Sequence, residues 1–336
     1  MSWRFLIARG AWAVIVLLGI TAMTFCLTRL IPGDPARAAA GPEASAEAVE
    51  TLRKSMGLDR PLAAQYVSYL RDLASFNFGR SIQTQRPVHE DLDVYLPATA
   101  ELAVVVMIVY TACSIAFGII AAVNPGRPGD YVIRALSVAG VALPSFWLGM
   151  LLQFAFYRQL GWLPATGRLD PLVSPPVRMT GLYLVDGVMT ANWPAVWSAA
   201  GHLALPVVAT VASRLGVGVK LTRTIMLEVL GEDYIRTAHS KGLSGFLVVY
   251  RHGLKNALIP IITTLGMQFS ALLGGTVIVE VVFGWPGIGR YAVGSIKTLD
   301  FPAIMSVTVV LAVAFLVMSV LVDALYLWLD PRIKYQ

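Results

Sequence analysis

Several polar stretches in this chain have residue types that could do chemistry, and spacing removes most of them. His89-Glu90 opens the H-E-x-x-H pattern, in which two histidines one helical turn apart hold zinc and the glutamate acts as base. Asp91, Leu92 and Asp93 follow, so the second ligand is missing. The four histidines, His89, His202, His239 and His252, are scattered, with no pair at ligand spacing beside a third donor. Gly242–Gly245 reads GLSG, the G-x-S-G of an intramembrane serine protease. Such a serine needs a buried helix and a histidine from another span, whereas Ser244 lies in a polar segment that also contains every nearby base. No G-x-x-x-x-G-K-[ST] run occurs, so the chain is not expected to hydrolyse ATP by itself.

Composition names the solvent these residues live in. Of 336 residues, 57% are hydrophobic and 14% charged, against about 25% charged in an ordinary soluble domain. Mean hydropathy is +0.68. With a rise of about 1.5 Å per residue and a hydrocarbon layer about 30 Å thick, a span needs roughly 20 apolar residues. Six segments qualify: Gly10–Thr28, Leu102–Val123, Ala135–Tyr157, His202–Leu221, Leu258–Val279 and Ala303–Val322. The first exceeds the hydrophobic region of a cleaved signal peptide and is read as a retained anchor helix. Cys26 and Cys113 lie inside spans, as small apolar residues in helix packing. An all-α integral membrane protein is expected. Its net charge of +6 fits basic membrane-flanking loops, so no nucleic-acid partner is expected.

Charges within spans are few. An ion-coupled carrier usually places acids inside its spans, yet Glu280 and Asp323 sit only at the ends of the fifth and sixth. Lys220 is near one end of the fourth and can snorkel. Arg214, with Gln268 and Glu280, is a candidate for lining an aqueous pathway or facing a neighbouring subunit.

Six spans put both termini on one side. The N-terminus, 124–134, 222–257 and the tail are richer in Lys and Arg than the short loops opposite, which assigns them to the cytoplasm. The division expected is residues 1–28 as N-terminus and first span, 29–101 as a small folded extracytoplasmic insert, and 102–336 as a core carrying the loop 222–257. Helical patterns occur around Ala46–Leu58 and Leu62–Leu73. Asp34, within IPGDP (Ile31–Pro35), is read as a turn or capping acid. Segment 158–200, also outside, carries Trp162, Tyr183, Trp193 and Trp197, as an interfacial belt or a surface for an outer partner.

The polar interruption that remains is EDYIRTAHSKG (Glu232–Gly242). From Ile225 through Met226, Val229, Leu230, Tyr234 and Ala238, apolar residues recur at helical spacing, which predicts one amphipathic helix. Gly242 stands where that helix would end in a left-handed residue, after Lys241. A second helical stretch, Phe246–Leu254, follows. NALIP then turns the chain into the fifth span, with Pro260 in its first turn. A helix, a glycine corner and a helix make a compact charged knob suited to a groove on a partner.

At this point the chain resembles a family. EVLGEDYIRTAHSKGL (Glu228–Leu243) and HGLKNALIP (His252–Pro260) look like the coupling loop of bacterial dipeptide/oligopeptide ABC-importer permeases. RLIPGDPAR (Arg29–Arg37), FGWPGIGR (Phe283–Arg290) and DPRIKY (Asp330–Tyr335) resemble their first permease subunit. The resemblance implies the type I ABC importer permease fold and one half of a transmembrane pathway in the bacterial inner membrane. It also implies a second homologous permease subunit, two ABC ATPase subunits and an extracytoplasmic substrate-binding protein. ATP and Mg would be bound by the ATPases, and no cofactor by this chain. Tyr234, Ile235, Arg236, Thr237, Ala238, Lys241, Gly242 and Leu243 would couple to the ATPase. Arg236 stands where the general importer pattern E-A-A-x-x-x-G has its acid, and Leu254-Lys255 where it has L-P. Relatives carry dipeptides, longer peptides, glutathione or nickel chelates. The alternative class is an autonomous channel or ion-coupled carrier.

Overall fold

The computed structural model describes residues 3–30, 34–41 and 43–329, so most of IPGDP and the closing DPRIKY lie outside the described residues. The described residues are helical apart from loops and one isolated bridge, Arg80 to Pro87. The chain forms two compact units, Met1–Thr99 with Pro286–Val317, and Ala100–Trp285 with Met318–Gln336.

In the first unit, α1 (Trp3–Leu30) is followed by the short α2 (Pro35–Ala40), α3 (Ala46–Ser55) and α4 (Leu62–Ala74). The helical patterns expected around 46–58 and 62–73 are both present. Asp34 caps α2, its carboxylate accepting the Ala36 N–H at 3.1 Å, and pairs with Arg53. α5 (Val88–Val123), of which residues up to Thr99 belong to this unit, starts fourteen residues before the expected span Leu102–Val123, because its first turns are polar and carry Glu90, Asp91 and Asp93. Val88 and Leu92 on that extension pack with Ile288, Tyr291, Ala303 and Val307 in a buried cluster. Tyr291 donates to the buried carboxylate of Asp91 at 3.0 Å and stacks on Tyr95 at 4.8 Å.

In the second unit the expected third span is broken. α6 (Pro128–Ala142) and α7 (Ser145–Leu152), continued by a π-helical segment Gln153–Gln159, meet at 105°. Pro144 between them cannot continue the helical ladder and pushes Leu143 to extended backbone, φ −94° and ψ 130°. After α8 (Tyr183–Met189) comes α9 (Trp193–Leu230), 38 residues capped by Asn192, which contains the whole expected fourth span. Small residues let α9 approach its neighbours. A Cβ on Gly216 would sit 2.6 Å from the Ser137 carbonyl of α6, and one on Gly218 would collide with Ser114 of α5. Leu205 and Ala209 of α9 join Val279 and Phe283 in a second buried cluster.

Beyond α9 lie α10 (Asp233–Ser240), α11 (Gly245–Leu247), a π-helical segment Val248–Leu254 and α12 (Lys255–Val282). α13 (Ile288–Lys297) and α14 (Phe301–Leu329) are the last of the described helices. Four single helices and the bent pair are long and apolar enough to cross a membrane among the described residues. The fifth expected span, Leu258–Val279, lies within the 28-residue α12.

Candidate functional site

The polar segment is built differently from the single helix its periodicity predicts. α9 carries the apolar face only to Leu230. Gly231 ends it, its N–H bonding to the Leu227 and Glu228 carbonyls at 3.1 Å each. Glu232 is extended at φ −69° and ψ 150°, and α10 starts afresh at Asp233. The signal for this break was Gly231 followed by two acids, since acidic residues favour a helix start. The continuous three-four spacing masked it.

The corner at Gly242 is where the sequence puts it. Gly242 has φ +75°. Its N–H donates to the His239 carbonyl at 2.9 Å, and that of Leu243 to Ala238 at 3.4 Å. These two bonds make a Schellman cap, whose left-handed residue glycine adopts without a Cβ penalty. Nothing lies within 4 Å of where a Cβ on Gly242 would be. Ser244 is the next helix cap, its Oγ accepting the Leu247 N–H at 3.5 Å. The GLSG serine thus ends in a structural bond, not beside a histidine base.

The expected turn at NALIP is absent. α11, the π segment and α12 follow one another without a break, so Pro260 sits inside α12 rather than in its first turn. Its missing N–H costs one ladder bond, to Asn256. The Asn256 side chain donates to the His252 carbonyl at 2.9 Å and to the Tyr234 hydroxyl at 3.1 Å. That second bond ties α10 to the base of α12.

Of the expected coupling residues, Ile235 and Ala238 face inward and pack with Val248 and Leu230. Tyr234, Arg236, Thr237, Lys241, Gly242 and Leu243 are exposed. Arg236 pairs with Asp233 one turn away at 3.2 Å, a solvated contact worth little by itself. The π segment carries Tyr250, whose ring centre lies 4.5 Å from that of Phe246 at a 34° tilt, Phe246 being 72% exposed. Gly253 lets the segment close on α9, since a Cβ there would lie 3.0 Å from Leu230. The knob therefore has a small apolar root and a face of charges and aromatic rings turned outward.

A clasp not read from the sequence braces its base. Arg223 on α9 donates both Nε and Nη2 to Asp130 at 3.0 Å, and the Gly126 N–H donates to the same carboxylate at 3.0 Å. The Asp130 side chain is fully buried. In the sequence Arg223 was one basic residue among several, and only folding supplies its partner.

Arg214 and Gln268 are half-buried on α9 and α12, whereas Glu280 is fully buried. Gln268 and Glu280 are twelve residues apart on one helix, about 18 Å along its axis. Lys220 is exposed, as snorkelling requires. His202 is a satisfied core residue, its Nδ1 2.8 Å from the Ser198 carbonyl. No three metal-ligating side chains group together among the described residues.

Segment 158–200 is tied down by buried charge. Arg168 gives Nε and Nη2 to Glu101 at 2.9 and 2.6 Å, donates to the Gly181 carbonyl, and lies 3.8 Å from the Tyr183 ring centre. The other Glu101 oxygen accepts the Leu184 N–H at 2.7 Å. Burial pushes the Asp186 carboxyl up. The Thr180 hydroxyl and the N–H groups of Thr180, Met179 and Gly181 outweigh that and hold it below the usual carboxylate range.

Known proteins resemble this chain along nearly its whole length. Residues 114–335 match the family model described as binding-protein-dependent transport system inner membrane component. Residues 2–103 match the model for the N-terminal part of such membrane components. The chain is 44% identical over 331 residues to a probable D,D-dipeptide transport system permease protein of Escherichia coli strain K12, covering 98% of this chain and 97% of that one. It is 41% identical over 320 residues to a dipeptide transport system permease protein of Alkalihalophilus pseudofirmus, covering 95% and 96%. It is 36% identical over 317 residues to a glutathione transport system permease protein of Escherichia coli strain K12, covering 94% of each.

Proposed function

Since the chain belongs to the binding-protein-dependent inner membrane components, the transmembrane subunits of ABC importers, we propose that it forms one half of a peptide-import pathway and is driven through its 232–243 loop. Dipeptides are the substrate class favoured, because the relatives at 44% and 41% identity are named for dipeptides. A second, homologous permease would complete the pathway. Two ATPase subunits would supply ATP and Mg, and an outer binding protein would deliver the peptide. Both termini and the 222–257 segment would face the cytoplasm.

One observation carries the coupling role. The knob of α10, the Gly242 corner and the exposed Phe246–Tyr250 pair joins two long helices, α9 and α12, with the Tyr234–Asn256 bond across its base. A partner that grips the knob would act on both helices together and would bias them between two arrangements, as a coupling claim requires. The π segment at the root of α12 fits that use, since such segments recur at functional sites. Arg236, in the place of the usual acid, would meet the ATPase through the charge it presents to solvent.

The test is reconstitution in vesicles. The chain with its second permease, ATPases and binding protein should take up labelled dipeptide only with ATP, with glutathione and nickel chelates as competitors. Uptake by the chain alone under an ion gradient would overturn the reading in favour of an autonomous carrier.

A further inference from the structure

A cavity of about 220 Å³ lies in the first unit, where α1, α4 and the start of α14 meet. The apolar span on α1 ends at Arg29 and the one on α14 begins at Phe301. Thr28 reaches Met305 at 4.0 Å, so both ends stand at the same membrane boundary. Three polar atoms at this place are buried without a hydrogen-bond partner: Nε of Arg29, the hydroxyl of Tyr69 and Oε1 of Gln65. Buried polar groups are nearly always satisfied, so three around one cavity point to an occupant.

The surroundings specify its chemistry. Arg29 lies 5.1 Å over the Phe25 ring, and Tyr69 stacks on the same ring at 6.2 Å, so both donors are held by one aromatic residue. Arg60 adds a second guanidinium to the lining against one carboxylate, Asp72, which favours an anion. Gln65 spends its Nε2 donors on the Leu58 and Arg60 carbonyls, which leaves its oxygen to accept from a hydroxyl. Leu62 on α4, and Phe76 next to the lining residue Asn77, expose apolar surface, Phe76 by 78%. With about 30 Å³ per water, the cavity of about 220 Å³ suits a headgroup and is too small for a whole acyl chain.

We propose that this cavity binds the headgroup of an anionic phospholipid of the phosphoglycerol type. Its phosphate would sit on Arg29 and Tyr69, and a headgroup hydroxyl on Gln65. The site concerns lipid, not the transported peptide, and stands whether or not the peptide reading does.

Native mass spectrometry of the full chain, released from bilayers of phosphatidylethanolamine with or without phosphatidylglycerol, tests it. The chain should retain phosphatidylglycerol in preference. Arg29→Gln should weaken retention about tenfold, which corresponds to about 1.4 kcal/mol. Tyr69→Phe removes only a hydroxyl that no protein group uses, so it should fold normally and still retain less lipid. Equal retention by the wild type and Tyr69→Phe, or equal retention of the two lipids, would overturn the proposal. So would inorganic phosphate alone raising the unfolding midpoint as far as phosphatidylglycerol does.

Discussion

Gly242 offers a way to separate the backbone of the corner from what docks on it. Any L-residue placed at φ +75° meets left-handed strain of about 1–2 kcal/mol. Nothing within the chain lies within 4 Å of the new Cβ, so alanine and tryptophan should cost the fold the same amount. They differ outside the chain. If the corner enters a cleft on an ATPase subunit, tryptophan overfills it by about 1–3 kcal/mol beyond alanine. That corresponds to roughly 5–150-fold in coupling. Gly242→Ala and Gly242→Trp should therefore reach the membrane equally, as judged by immunoblot and complex purification. ATP-driven dipeptide uptake should fall modestly with alanine and by at least a further fivefold or so with tryptophan. Gly242→Pro should abolish uptake, since its φ near −65° forbids the cap and the bond to His239 is lost. Equal uptake by the alanine and tryptophan variants in assembled complexes would refute the docking argument and leave the glycine a purely local role.

Other outcomes follow from the same geometry. Arg223→Ala leaves the fully buried Asp130 carboxylate without its bidentate partner and should cost about 3 kcal/mol in thermal unfolding of the purified chain; Asp130→Asn in the same background should recover part of it. Gly216→Ala drives a Cβ to 2.6 Å from the Ser137 carbonyl and should lower the unfolding midpoint by the equivalent of about 1–3 kcal/mol, whereas Gly129→Ala, with open space around it, should not. Asp186 has a depressed carboxyl, so its contribution is full above the unfolded value of about 3.9 and is lost as pH falls through the lower folded value. Hydrogen exchange at Met179–Gly181 should accelerate in that acid range, and Asp186→Asn should remove the pH dependence.

Much of this molecule was legible because its signals are local. Gly242 after Lys241 marked a corner, and hydrophobic runs marked membrane helices. Asp34 before Pro35 marked a cap. What escaped detection depends on partners distant in sequence or on patterns that overlap. The start of α5 was hidden because Glu90, Asp91 and Asp93 look like loop residues until Asp91 meets Tyr291. The break at Gly231 was hidden by apolar spacing that continues on both sides of it. The two π-helical segments carry no composition of their own, and the bend at Pro144 was lost within one apolar run. Arg168 with Glu101 and Arg223 with Asp130 are 67 and 93 residues apart, so no window of sequence could pair them.

The 38 residues of α9 span about 57 Å, more than the roughly 40–45 Å of a whole bilayer with its headgroups. A helix of this length, set upright across a bilayer, would reach both water layers, with the Arg223 clasp near one end and the Asn192 cap at the other. Pivoted at one end, a tilt of about 10° swings the other through about 10 Å, close to the diameter of a helix. Over such a length a small angular change needs no chain of intermediaries: the amplification is already in the geometry.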